Sequence, residues 1–226
     1  MTKQLKNKVI TKVAISLLIG ISAVSISFAT SFATTAVADK TSTQKVEVNE
    51  QNPVAIVNRS FVKLQELVSE DSTYIQKNPQ KLVDLVNQYF IPYVAPEYMS
   101  GMVIGPRWRN ATETERKDFT QQFLFLLARF YAKSIAQVGN YKLVIHPIAP
   151  ADYKGKKNIS LNGDIINKSN SNSSPIQIKM VNIKNQWKVY DVVVGGVSIV
   201  NNYREQFQQA ASVSQITQRL TQMNKK

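Results

Sequence analysis

The feature that most constrains this chain is a change of hydrophobic period near residue 141: before it apolar residues recur at spacings of three and four, and after it they alternate. A 3.6-residue stripe is buried by a helix and a two-residue alternation by a strand, so the sequence predicts a helical part followed by a sheet. In the helical part, Asn52 and Pro53 give a cap and a proline at the first helical position, ahead of Val54, Val57, Phe61, Leu64 and Val68. Asn78 and Pro79 repeat that start signal, and Leu82, Leu85, Val86 and Phe90 line a second helix that Pro92 stops. Residues 93–105 are apolar, with Ala95, Ser100, Gly101 and Gly105 small enough for close backbone packing. Thr112 and Glu115 have capping-box spacing and open a long helix, to about residue 138, whose face carries Phe119, Phe123, Leu126, Leu127, Phe130 and Tyr131.

In the second part, Leu143 and Ile145, then Ile159, Leu161 and Ile165, then Ile176, Ile178 and Met180 alternate as half-buried strands do. A last strand places Val189 with Val193, and Tyr190 with Val192 and Val194. The loops at 147–157, 167–175 and 184–186 have no room for a crossover helix, which predicts antiparallel pairing. Two helices, at about 198–211 and 213–223, close the chain. The expected fold is α+β: a curved antiparallel sheet of about four strands packed against a helical layer, with a cavity between them.

At the N-terminus, Lys3, Lys6, Lys8 and Lys12 precede an apolar stretch over 13–28, and Ala36-Val37-Ala38 forms a small-x-small cleavage pattern. This is the layout of a secretory signal peptide over 1–38. Ser16, Ser22, Ser25, Ser27 and Thr30 interrupt the stretch, against a membrane anchor. Residues 39–52 read as a flexible polar leader and 53–226 as a single domain. The chain has no cysteine, so it carries neither a disulfide nor a lipidated cysteine. Its formal charge of +13 is unevenly spread: residues 142–188 hold eight lysines against only Asp152 and Asp164. Such a field favours an anionic partner, and for an exported protein that means a phospholipid surface or an acidic docking protein, with no nucleic acid; the competing reading is a solvated sheet face.

Candidate chemistry is sparse. His146 is the single histidine, which rules out a His-rich metal site or an imidazole pair within one chain. Asp191 lies in an apolar strand, where it is read either as a general base or, better, as a structural carboxylate paired with Arg204 or a backbone donor. Ser198 stands where the following helix needs an N-cap. Gly195-Gly196 matches no phosphate-loop pattern and reads as a bend at a strand end.

The order W-K-V-Y-D over 187–191, then Gly196-Val197-Ser198, Ile199, Val200, Tyr203-Arg204 and Phe207, resembles a signature of the MlaC-type periplasmic phospholipid-binding proteins of the toluene-tolerance family. Ile91-Pro92-Tyr93-Val94, Met99-Ser100, Val103-Ile104-Gly105, Trp108, Ala111-Thr112 and Arg116, with Phe119 and Phe123 beyond, look like that family's second signature. The residue before Gly-Val-Ser is often acidic in the family, whereas this chain has Gly195. The resemblance implies a soluble carrier and not an enzyme. Its cargo is a diacyl phospholipid, with no other cofactor and no metal. It implies transport between an outer-membrane lipoprotein–porin complex and an inner-membrane ABC transporter with a lipid-binding ring, and thereby maintenance of outer-membrane lipid asymmetry. The alternatives are a small curved-sheet enzyme using Asp191 as base and a basic secreted surface-binding module. Helix-side candidates for the lipid-binding wall are Phe90, Tyr93, Met99, Met102 and Val103, with Trp108, Phe123, Leu127 and Tyr131. Sheet-side candidates are Leu161, Ile178, Met180, Val192, Val194 and Val197.

Overall fold

A computed structural model describes residues 52–210 and 212–224. The expected signal peptide and all but the last residue of the expected leader therefore lie outside the described residues.

The first described helix, α1 (Pro53–Lys77), starts where Asn52 accepts the Val54 N–H on its side-chain oxygen at 3.0 Å. It runs past the Val54-to-Val68 stripe, because Ile75 extends that stripe and nothing breaks the helix before Asn78-Pro79. Helix α2 (Pro79–Leu85) is shorter than the Leu82-to-Phe90 stripe suggested: its continuation over Val86–Phe90 widens into a π turn ahead of Pro92. Then come α3 (Pro96–Ile104), the single turn α4 (Arg107–Asn110) and the long α5 (Glu113–Ala136). The capping box at the start of α5 is formed, with the Glu115 N–H bonded to the Thr112 hydroxyl and the Thr112 N–H to the Glu115 carboxylate.

The sheet is an antiparallel meander in sequence order: β1 (Tyr141–Ile145), β2 (Asn158–Asn167), β3 (Ser173–Ile183), β4 (Gln186–Val194) and β5 (Val197–Ser198). A short turn of helix, α6 (Pro150–Tyr153), lies in the β1–β2 loop. The fifth strand, which the sequence did not suggest, is two residues long. It exists because Gly195 and Gly196, at φ of 56° and 83°, form a two-residue hairpin turn that sets Val197 opposite Val194. Positive φ at both central positions is the requirement of a type I′ turn, and glycine meets it without strain. The expected bend is thus a hairpin. Helices α7 (Ile199–Phe207) and α8 (Val213–Asn224) end the described chain.

The apolar residues divide into three clusters. One lies between the sheet and α1, and holds Ile56, Val57, Ile145, Leu161, Ile178 and Met180. A second joins α1, α2 and the C-terminal half of α5 through Val68, Leu82, Ala128 and Ala132. The third is a helix-on-helix core of α3, α5, α7 and α8 around Phe119, Phe123, Tyr203, Ile216 and Leu220. Its rings pack specifically: Phe119 stacks on Phe123 at 5.5 Å and Tyr203 meets Phe123 edge-on at 5.1 Å. Close approach is also used there, since a Cβ on Gly101 would stand 3.1 Å from the Trp108 indole. The buried Thr120 hydroxyl bonds Ser100 at 3.0 Å and ties α5 to α3.

Candidate functional site

One face of the sheet is built from three apolar cross-strand rows: Ile145, Gly163, Ile176 and Val194; then Leu161, Ile178 and Val192; then Ile159, Met180 and Val189. Val189 belongs to this face, which corrects the expected phase of the last strand. A β-bulge where β4 passes the Lys179–Met180 step inserts Tyr190 as an extra residue, so Val189 falls in phase with Val192 and Val194, not with Val193. Alternation read along one strand cannot reveal such a shift, because the extra residue is defined only by its partner strand.

Cover over this face is uneven. Leu161 and Met180, on the central strands, are fully buried, while Val189, Val192 and Val194 on β4 are half-buried. Val197 sits beside Val194 at the rim with 42% of its surface exposed. The face is therefore closed at its centre and open toward β4. Tyr93, half-buried, packs against the same cluster from the segment that follows α2; its carbonyl accepts the Val189 N–H at 2.8 Å, and the Ala95 N–H returns a bond to the Val189 carbonyl at 2.8 Å.

The other helix-side candidates are placed elsewhere. Val103 and Phe123 are fully buried within the third cluster, with Met99, Met102, Trp108 and Leu127 half-buried against it. Phe90 is buried at the end of the π turn, where its carbonyl accepts the Tyr93 and Val94 N–H groups. Tyr131 is half-buried on α5, and burial raises its phenol pKa. Burial pushes the Tyr203 phenol higher still, with Tyr131 adding to the effect. The sequence candidates thus form two groups, one on the sheet face and one in the helical core. Ile145, Ile159, Ile176 and Val189 complete the sheet face and were missing from the candidates, although alternation alone signals the first three.

On the opposite face, Asp191 is 1% exposed and fully engaged. Lys179 approaches it at 3.1 Å, the Ser198 hydroxyl donates to it at 2.6 Å, and the Val200 N–H donates at 3.1 Å. Ser198 also accepts the Asn201 N–H at 3.0 Å, so it is the expected N-cap of α7. Arg204, expected as a partner of Asp191, instead donates to the Met102 carbonyl from Nε (2.7 Å) and Nη2. One helical turn and more separates it from the strand, and the C-terminal carbonyls of α3 are what it meets. His146 pairs with Asp164 at 3.0 Å in an exposed position.

A sequence model of the MlaC protein family matches residues 58–225. The chain belongs to the MlaC family. Among curated relatives it is 25% identical over 161 residues to the toluene tolerance protein ttg2D of Pseudomonas putida, a match covering 71% of this chain and 73% of that one. It is also 25% identical over 162 residues to the intermembrane phospholipid transport system binding protein MlaC of Haemophilus influenzae, covering 70% and 74% respectively. Its fold matches that of a phospholipid-binding protein from Ralstonia solanacearum solved with a phospholipid. There the TM-score is 0.64 and the identity 24%, over 75% of this chain and 95% of that one. In this MlaC-family chain Gly195 takes the first central position of the hairpin at a φ of 56°, a conformation glycine adopts without strain.

Proposed function

We propose that this protein is a periplasmic carrier that binds a diacyl phospholipid with its acyl chains against the sheet face at Val189, Val192 and Val194. Val197 stands at the mouth, and the half-buried Tyr93 adds apolar surface from the segment that follows α2. The observation that carries the reading is an apolar face buried at its centre and left half-covered along β4, in a chain of the MlaC family. Two acyl chains of roughly 30 methylenes together cost on the order of 24 kcal/mol to expose to water, so crossing an aqueous space requires a sheltered apolar surface of this kind. The headgroup needs no such shelter and stays at the mouth.

The Haemophilus relative, an intermembrane phospholipid transport system binding protein, supports the wider reading. In that reading the protein passes lipid between an outer-membrane lipoprotein–porin complex and an inner-membrane ABC transporter, and so maintains outer-membrane lipid asymmetry. Carriage is favoured over catalysis because Asp191, the one buried carboxylate among the described residues, has its oxygens occupied by an ammonium, a hydroxyl and a backbone N–H. No helix among the described residues is long and apolar enough to cross a membrane.

The test is mass spectrometry of protein purified from bacteria under native conditions. About one diacyl phospholipid per molecule is expected; delipidated protein that stays folded yet takes up no lipid from vesicles would sink the reading.

A further inference from the structure

The lysines between residues 142 and 188 do not form one patch in the folded chain. Lys179 is turned to Asp191, and Lys168 bonds the Gly139 carbonyl at 2.8 Å near the β2–β3 turn. Five others gather at the opposite end of the sheet. The Asn182 N–H bonds the Lys157 carbonyl at 2.8 Å, which brings the loop of Lys154, Lys156 and Lys157 beside the end of β3. Lys184 lies in the two-residue turn that follows, and Lys188 pairs across from Val181 on β3. The Lys188 ammonium reaches the Ile91 carbonyl at 3.4 Å. Ile91, 38% exposed, and Pro92, also exposed, project beside it. Within these loops the one acidic residue is Asp152, whose carboxylate accepts the Ala149 N–H at 2.8 Å, so the five lysines far outnumber it.

We infer that this end of the sheet docks the protein on an anionic bilayer, with Lys154, Lys156, Lys157, Lys184 and Lys188 over the headgroups and Ile91-Pro92 entering the interface. The inference rests on the carrier reading for its purpose, and that purpose is recruitment to the bilayer, since the mouth at Val194 and Val197 lies at the other end of β4 from these lysines. Three observations select a bilayer over an acidic protein. All five cations are lysines with no arginine among them, whereas protein interfaces enrich arginine and deplete lysine. The ammoniums sit on three separate segments, four of the five exposed, which suits a fluid field of phosphates better than fixed carboxylates. An exposed apolar tip flanked by cations is also how interfacial segments seat themselves, with lysine stems lying along the apolar boundary.

The experiment is co-sedimentation of the lipid-loaded protein with vesicles of phosphatidylglycerol and phosphatidylcholine, and of phosphatidylcholine alone, across a salt series. Binding to the anionic vesicles that falls with salt, and little to the neutral ones, is expected. The K154Q/K156Q/K157Q variant should bind the anionic vesicles at least ~10-fold more weakly at low salt, since one lysine near an anionic surface contributes about five-fold. Ile91→Asp, made separately, should weaken binding at every salt concentration. Phospholipid content of each preparation is measured alongside and should not change, so a docking failure and a carriage failure read differently. Equal binding of parent and triple variant, or equal binding to both vesicle types, overturns the inference. So does absent vesicle binding by the parent; if the lysine variant then slows transfer only when acceptor proteins are present, the surface docks an acidic protein instead.

Discussion

Replacing Asp191 by alanine isolates what the buried carboxylate does. The substitution leaves the Val200 N–H and the Ser198 hydroxyl without their acceptor in a site where Asp191 is 1% exposed, while the Lys179 side chain, 24% exposed, can turn to water. Each orphaned buried donor costs about 1–3 kcal/mol. Lys179 escapes most of the ~3–5 kcal/mol that a fully buried partner would lose. The net loss should therefore be about 3–5 kcal/mol, or roughly 6–20 °C in midpoint for a domain of this size. Asp191→Asn keeps one acceptor oxygen and should lose about half as much. Urea and thermal unfolding at neutral pH give the stability. Lipid per folded molecule, from extraction and mass spectrometry, gives the function. Because Asp191 points away from the face of Val192 and Val194, lipid content should hold at the parental level in the folded fraction. A stability loss under ~1 kcal/mol would refute the anchoring argument. A stable Asp191→Asn protein that no longer supports transport would return the carboxylate to a chemical role.

Two contrasts extend this. Leu161→Ala, at the fully buried centre of the sheet face, should cost about 2–5 kcal/mol and reduce bound lipid only through the lost folded fraction. Val192→Gln, on the half-buried β4 edge, should cost about 1 kcal/mol of stability. It should nonetheless weaken lipid loading roughly 5- to 100-fold, because an amide is forced against an acyl chain; the reverse pattern in unfolding and loading assays would make Val192 ordinary core. Hydrogen bonds from Ser214 and Thr112 hold the Glu115 carboxyl below the usual glutamate range. Since its folded value lies below the unfolded one, its contribution is present at neutral pH and is lost as pH falls below about 4.3 toward the lowered folded value. Midpoints measured from pH 6 to 3 should fall less steeply for Glu115→Gln than for the parent, and parallel curves would contradict the assignment.

The elements legible in the sequence are those whose cause is local. Asn52-Pro53, Thr112 with Glu115, and Ser198 mark helix starts because a cap is made by neighbours in the chain, and each is formed. Alternation revealed β1, β2 and β3 for the same reason. What escaped depends on distant partners. The bulge at Tyr190 exists only in the pairing of β4 with β3, and it decides which valines of β4 share a face. Lys179 reaches Asp191 across that same irregular pair, a contact without any signal in either strand alone. Phe123 and Met102 read equally well as cavity wall or core, because hydrophobic spacing tells which face is buried and not against what. The helix-on-helix packing of α3, α5, α7 and α8 assigns Phe123 to the core. The family signature was readable without any of this, since it depends on residue order.

The central claim, that cargo lies along the β4 side of the sheet face, is tested most directly with a phospholipid carrying a photoreactive group near the end of one acyl chain. After loading, irradiation and digestion, the account predicts adducts on the segment spanning Val189, Val192 and Val194, with further adducts near Tyr93. Adducts confined instead to the groove of about 510 Å³ lined by Arg107, Arg204 and Gln208 would contradict it.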